Sequence, residues 1–265
     1  MQATKRQIVD ALGRAGLRRG DHLLVHSSLR KVGPIDGGAD ALIDGLLEVV
    51  GEDGTLAMPA FNTTRYLPTP CFDMRLTASR SGMLTEMYRQ RPASQRSCHP
   101  THSVVAQGRR AAEFLADHYL REAFGVDSPI DRLARAGGYV LLIGVTHMAN
   151  SCIHIGESCA GVTKFYWDDG PLPVVKCRLP SGDIIDYELD CTASCSMAFN
   201  AVEYLLRKRN QVSDLNVGQA LCFLMRGRDI IENVVEMLRE RPDFLLCNRE
   251  ICRPCVLARK HLFSR

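Results

Sequence analysis

The feature that most constrains this chain is a regular exchange between helical and strand-like hydrophobic patterns over its first 145 residues. Residues 4–16 carry Ile8, Val9, Leu12 and Ala15 at helical spacing and stop at Gly16; "DHLLVHSS" (21–28) follows as a short buried strand. "GGADALIDGLLEVVG" (37–51) returns to the helical period, with Leu42, Leu46, Leu47 and Val50 on one side, and "GTLAMPAF" (54–61) returns to strand. The alternation continues with a helix over 81–91, a strand over 102–108, helices near 109–118 and 129–136, and the strand "YVLLIGV" (139–145). Strands alternating with helices bury a sheet beneath helical layers, which predicts an α/β fold with a central sheet.

Beyond residue 160 the texture changes. "PLPVVKCRLPSGDIIDYELD" predicts two strands joined by a "PSGD" turn, followed by helices over 196–209 and 228–241. Residues 62–80, rich in Pro, Thr and aromatics, read as a long loop over a site. No repeat or linker divides the chain, so one domain over 1–265 is expected, closed by a cysteine-containing segment at 247–255.

The 265 residues, 46% hydrophobic and 24% charged, suffice for a sizeable core. A net charge of +3 with dispersed basic residues leaves nucleic acid without an electrostatic footprint. No apolar run approaches the roughly 18–20 residues that span a bilayer, and the N-terminus lacks the apolar segment of a secretory signal, so a cytoplasmic protein without a membrane partner is expected. Eleven cysteines in such a chain argue against a disulfide scaffold.

Three polar stretches interrupt this apolar pattern. "VHSSLRKVG" (25–33) puts serine hydroxyls, a turn and two cations directly after a buried strand, where α/β folds bind ligands; its glycines match neither a dinucleotide fingerprint nor a P-loop. "RSCHPTHS" (96–103) carries more polar groups than a turn needs, and His99 or His102 is a base, a hydrogen-bond donor or simply part of a turn. "GVTHMANSCIHIGE" (144–157) begins where a buried strand ends. With a helix from Ser151 onward, His154 and Glu157 stand at i and i+3 on one face. His154 has the intrinsic pKa of a base near neutrality, about 6.5, but the residues alone equally allow a core histidine satisfied by a carbonyl.

At these motifs the sequence resembles the aminoglycoside 3-N-acetyltransferase, or antibiotic N-acetyltransferase, family. The blocks that carry the resemblance are "LLVHSSLRKVGPIDGGADALIDGLLEVVGEDGTLAMPAF", "CHPTHSVVAQG", "FGVDSPIDRLARAGGYVLLIGVTHMANSCIHIGE" and "GRDIIENVVEML", the first three covering most of residues 20–160 in order. The resemblance implies that family's α/β fold, a central mixed sheet flanked by helices, and transfer of an acetyl group from acetyl-CoA to the 3-amino group of an aminoglycoside. It implies His154 as the catalytic base and a carboxylate partner at Asp190 in "YELDC", with Glu157 the other acid able to orient the ring. It also implies a CoA site formed by Ser27, Ser28, Leu29, Lys31, Val32 and Gly33 on one side and Pro100, Thr101 and Ser103 on the other. Asp73, Glu157, Asp168, Asp169 and Glu188 are candidate contacts for a cationic acceptor. The chain departs from the family pattern at Met148, after the "GVTH" histidine, and in the "CIHIGES" context, which bears on the acceptor's identity more than on the reaction. Cys152 reads as a buried small hydrophobe.

The cysteines form a separate constellation. Cys191 and Cys195, with three residues between them, and the C-x-x-C pair Cys252 and Cys255, in a tail that also holds Cys247, provide four thiolates for a structural zinc. The leading expectation is an acetyl-CoA-dependent antibiotic-resistance enzyme acting by direct transfer. The alternatives are an acyltransferase for another small amine and a zinc-stabilised binding protein without catalysis. The sequence leaves oligomeric state open.

Overall fold

A computed structural model describes residues 2–62, 71–162, 174–179, 181–189 and 195–263. Along the chain it forms α1 (Lys5–Arg14), β1 (His22–Ser27), a single turn α2 (Leu29–Val32), α3 (Gly38–Val50), β2 (Thr55–Pro59), β3 (Cys71–Asp73), α4 (Met83–Arg89), β4 (Gln95–Arg96) and β5 (Val104–Gly108). It continues with α5 (Ala111–Leu115), α6 (Pro129–Arg135), β6 (Tyr139–Ile143), α7 (Cys152–Cys159), β7 (Val174–Arg178) and β8 (Ile184–Glu188). The last elements are α8 (Val202–Lys208), β9 (Ser213–Val217), β10 (Ala220–Arg226), α9 (Gly227–Glu240) and α10 (Arg253–Phe263).

Seven strands form the main sheet in the order β4-β5-β2-β1-β6-β10-β9. Its centre is parallel, β1 pairing with both β2 and β6, and its flanks are antiparallel. Side chains alternate across it: Leu23, Val25, Leu141 and Ile143 enter a core shared with α1 and α3, while Leu24, Val140 and Leu142 enter one shared with α5 to α9. The sheet is therefore the middle layer of an α/β/α sandwich, as the alternating sequence predicts. A smaller sheet, β3-β7-β8, packs Phe72, Val175, Cys177 and Leu189 on one face, and in β7 those residues alternate with the exposed Val174, Lys176 and Arg178.

Three local readings are corrected, and one hairpin is added. The helix expected near 109–118 ends at Leu115, because Asp117 takes a left-handed backbone with φ 54° and a 3₁₀ turn follows at His118–Leu120. The helix expected from residue 196 begins at Val202, behind another 3₁₀ turn. Within the expected loop over 62–80, residues 63–70 lie outside the described residues, and Cys71–Asp73 is a strand parallel to β7. The hairpin of β9 and β10 turns at Gly218, whose φ of 58° suits a tight two-residue connection.

Two features of this frame position the site. Ser27 and Ile143 are register partners at the carboxyl ends of parallel neighbours, so the loops "SSLRKVG" and "GVTHMANS" emerge side by side. They touch at Gly144, φ 62°, where an added Cβ would lie 2.8 Å from that of Lys31. Helix α7 then packs on α9 through Gly156, where a Cβ would sit 2.5 Å from two carbons of Val234 and 3.2 Å from the carbonyl of Ile231. A Gly156→Ala substitution is expected to force the helices apart and destabilise the fold by about 1–3 kcal/mol. Urea unfolding measures this, and an unchanged midpoint contradicts the close approach.

Candidate active site

Asn150 starts the helix that carries the central histidine: its Oδ1 accepts from the Cys152 N–H at 3.2 Å, satisfying one of the free donors of the first turn of α7. From that start, His154 and Glu157 fall on one face and meet, Nδ1 to Oε2, at 2.8 Å. Both side chains are largely buried, 10% and 5% exposed, so little solvent screens the contact. The imidazole is held from two sides: Phe124 stacks on it at 4.8 Å between centroids, and Phe199 meets it edge-on at 4.7 Å. With Nδ1 engaged by the carboxylate, Nε2 is the nitrogen left for chemistry.

The ring borders a cavity of about 270 Å³ at the carboxyl ends of β1 and β6. Its hydroxyl and amide groups come from Ser27, Ser81, Asn150, Ser151 and Ser196; Phe61, Phe124, Met148 and Phe199 form the apolar wall. Met148, the departure noted in sequence, is part of that wall. Ser27 therefore lies beside the expected base. Lys31 is exposed on α2 with its stem against the Gly144 turn, while Val32 belongs to the core and its carbonyl accepts from the Gln219 N–H at 2.9 Å. Ser28 and Leu29 are partly exposed at the start of that turn, and Gly33, φ 75°, packs against Gln219.

The second expected CoA segment has an internal role. Ser103 is wholly buried, donates to the Ala60 carbonyl at 2.8 Å and accepts from Arg96 Nε at 2.8 Å. Its hydroxyl is committed inside the fold. Arg96 also binds the carbonyls of Ala60, Met74 and Thr77, tying the 71–80 segment to β5; burial lowers its guanidinium to about 10, still charged at neutrality. Pro100 and Thr101 are buried in the adjoining turn, and His99 Nδ1 accepts from the N–H groups of Thr101 and His102. His99 is thus the staple of a turn, whereas His102 meets Phe124 and Phe61 edge-on.

Other expected groups are placed as follows. Asp190, Cys191, Asp168 and Asp169 lie outside the described residues. Asp73 pairs with Arg178 at 3.1 Å; burial alone would raise its carboxyl, but this cation and the N–H groups of Leu76 and Arg75 hold it below the ordinary range. Glu188 is exposed on β8. Cys152 is fully buried, which pushes its thiol up and keeps it protonated, as expected of a small core residue. Cys195, Cys252 and Cys255 converge with Cys247, their sulfurs all within 4.8 Å of one another, so the tail's own third cysteine completes a set for which the sequence pointed to Cys191. Phe124, Phe199, Ser81 and Ser196 escape a sequence reading because each comes from a distant segment and none has a distinctive spacing.

With this geometry established, the profile described as "Aminoglycoside 3-N-acetyltransferase" matches residues 24–239. The chain belongs to the aminoglycoside 3-N-acetyltransferase family. Aminoglycoside N(3)-acetyltransferase III of Salmonella sp is 29% identical over 260 residues, covering 86% of this chain and 88% of its own. Among solved structures, a histidine-to-alanine mutant of aminoglycoside acetyltransferase AAC(3)-IVa in complex with a gentamicin superposes with a TM-score of 0.86 at 28% identity, covering 98% of each chain. AAC-IIIb, solved as a binary complex with CoASH, gives 0.77 at 28% identity, covering 91% of this chain and 98% of its own. The α/β sandwich described above is thus the fold of this family. Among the described residues, no helix is long and apolar enough to cross a membrane.

Burial of several histidines makes stability depend on pH. It lowers His26 and His118 to about 3 and His147 to about 4, and holds His99 well below the ordinary 6.5. Below about pH 6.5 the unfolded chain takes up protons that the folded chain refuses, so each such group removes about 1.4 kcal/mol of stability per pH unit on acidification. Urea midpoints should fall steeply between pH 6.5 and 5, above the range where carboxylates titrate; a flat profile there contradicts the neutral, buried assignment.

Proposed function

We propose that this chain transfers the acetyl group of acetyl-CoA to the 3-amino group of an aminoglycoside, with His154 as the general base. The observation that carries the role of His154 is its contact with buried Glu157 at 2.8 Å beside a cavity lined by hydroxyls. Family membership and the CoA- and gentamicin-bound relatives support the substrate pair.

The chemistry follows from these groups. An alkylammonium has no lone pair, whereas a thioester is already activated, so a base near neutrality supplies most of what the reaction needs. Glu157 accepts the Nδ1 proton, which fixes the tautomer, aims Nε2 and stabilises the imidazolium that forms. The ammonium first gives up one proton to solvent, and Nε2 takes a second from the resulting neutral amine as its nitrogen attacks the thioester carbonyl. The C–N bond forms, the C–S bond breaks, and the proton held by His154 is delivered to the departing CoA sulfur. Cys152, protonated and sealed in the core, takes no part, which favours direct transfer over an acyl-enzyme. Ser27 and the exposed Lys31 face the cosubstrate on the β1 side, Lys31 as a point charge for phosphate. Pro100 and Thr101 act from the neighbouring turn through their backbone. Acetylation removes a positive charge from the antibiotic, which makes this a resistance enzyme.

Met148 in the cavity wall favours one further reading, an acceptor less polar than a typical aminoglycoside. Both readings are resolved by following CoA release from acetyl-CoA with a panel of aminoglycosides and simple amines. Turnover with an aminoglycoside, falling about 100-fold or more in His154→Ala with acetyl-CoA binding retained, is expected. Turnover confined to simple amines overturns the aminoglycoside assignment, and full activity in His154→Ala overturns the base.

A further inference from the structure

Remote from the catalytic carboxylate in sequence, four thiols meet where the segment after the β7–β8 hairpin touches the C-terminal tail. Cys195 Sγ lies 3.7 Å from Cys247 Sγ and 3.5 Å from Cys252 Sγ, and Cys255 completes a set in which every sulfur is within 4.8 Å of the others. These separations are far beyond the roughly 2.05 Å of a disulfide. They bracket the about 3.8 Å between sulfurs that a tetrahedral zinc with Zn–S bonds of about 2.3 Å imposes. We infer that Cys195, Cys247, Cys252 and Cys255 form a closed four-thiolate zinc centre that fixes one wall of the active-site cavity.

The surroundings are built to hold such a centre. Cys195, Cys247 and Cys255 are buried, and Leu246, Ala258 and Leu262 pack around the sulfurs, leaving them sheltered from water. Four thiols clustered in an apolar nest gain little from packing alone, whereas as thiolates they satisfy a soft dication completely. The N–H groups of Met197 and Cys255 point at the sulfurs of Cys195 and Cys252. Arg259 of α10 clamps the loop bearing Cys247, donating to the carbonyls of Cys247 and Leu246 and to Asn248 Oδ1 at 2.9–3.0 Å, and brings positive charge to a dianionic centre. Cys252 lies immediately before α10 and Cys255 in its first turn, and the Cys255 N–H donates to the Cys252 carbonyl at 3.0 Å. A closed shell of four sulfurs leaves no position for substrate, so the metal's role is structural.

The functional link is short. Ser196, directly after Cys195, lines the cavity, and Phe199 packs edge-on against the His154 ring. The centre therefore tethers to α10 the segment that forms one side of the cavity, and removing the metal frees that segment while the His154–Glu157 contact, made within α7, is retained. This second half rests on the acetyltransferase reading; the metal site itself does not.

The test is metal analysis of the full-length protein purified under reducing conditions, with replacement of zinc by cobalt(II). One zinc per chain is expected, and the cobalt protein should show the intense visible absorption and sulfur-to-metal charge transfer of a tetrahedral tetrathiolate. Cys252→Ser, at the most accessible ligand, should lose the metal, while Cys71→Ser, at an exposed thiol elsewhere, should keep it. Wild-type protein with all thiols reduced that takes up neither zinc nor cobalt overturns the site, whether or not the enzyme turns over. Chelation should raise the acceptor KM about tenfold or more while leaving acetyl-CoA binding within about twofold, a split that general unfolding does not produce. Equal kinetics in metal-free and metal-loaded protein overturn the wall-fixing role and leave the acetyltransferase reading standing.

Discussion

The contact on which the rest of the site depends is the close seating of α7 on α9 at Gly156. A residue with no Cβ lets the two helices approach until Val234 fills the space that a side chain would occupy. Glu157, the next residue, is buried, and a carboxylate without solvent needs a partner, which the geometry of one helical turn supplies as His154. The placement of the His154–Glu157 pair is thus a consequence of packing: the apolar face of α7 locks the helix, and His154 is left at the cavity. Because α7 begins just beyond β6, whose end is in register with that of β1, the same packing brings the base to the mouth of the parallel strands.

The histidines of the chain show how environment divides one residue type into different tasks. His99 is a backbone acceptor that staples a turn, and His118 meets Ser97 Oγ at 2.8 Å; burial keeps both neutral. His26 lies at the cavity floor, where the Ser151 N–H reaches its Nε2 at 3.5 Å, and it too is held neutral. His154 differs in having a carboxylate on Nδ1 and aromatic rings on its faces, which hold orientation without consuming Nε2. Orientation and a free lone pair together are what a proton acceptor requires.

Much of this was legible in the sequence where a local pattern reports a local structure. The central strands and their helices follow from hydrophobic period, and the i, i+3 spacing of His154 and Glu157 foretold their contact once α7 is helical. Legibility ended where function is assembled across distance. Ser81, Phe124 and the Ser196–Phe199 stretch reach the cavity from three separate segments, and no period or motif links them. "CHPTHS" has the polar richness of a binding loop, but Ser103 spends its hydroxyl on Ala60 and Arg96 inside the fold, a fact that only packing reveals. In the cysteine cluster, spacing identified the C-x-x-C pair, yet Cys247 joins it through the path of the tail. The β9–β10 hairpin was missed because "ALCFLMR" is apolar throughout and β9 is largely exposed, so neither strand shows a clean alternation.

In the proposed mechanism Glu157 makes His154 a base by fixing its tautomer and aiming Nε2. The measurement that reaches this claim most directly is kcat/KM for the acceptor across pH in wild type and Glu157→Gln, an isosteric change that removes the charge. The expected result is a fall of about 100-fold or more in the variant at every pH, with acetyl-CoA binding unchanged. A Glu157→Gln enzyme with the rate and pH profile of wild type would contradict it, and would leave the buried pair as a packing contact alone.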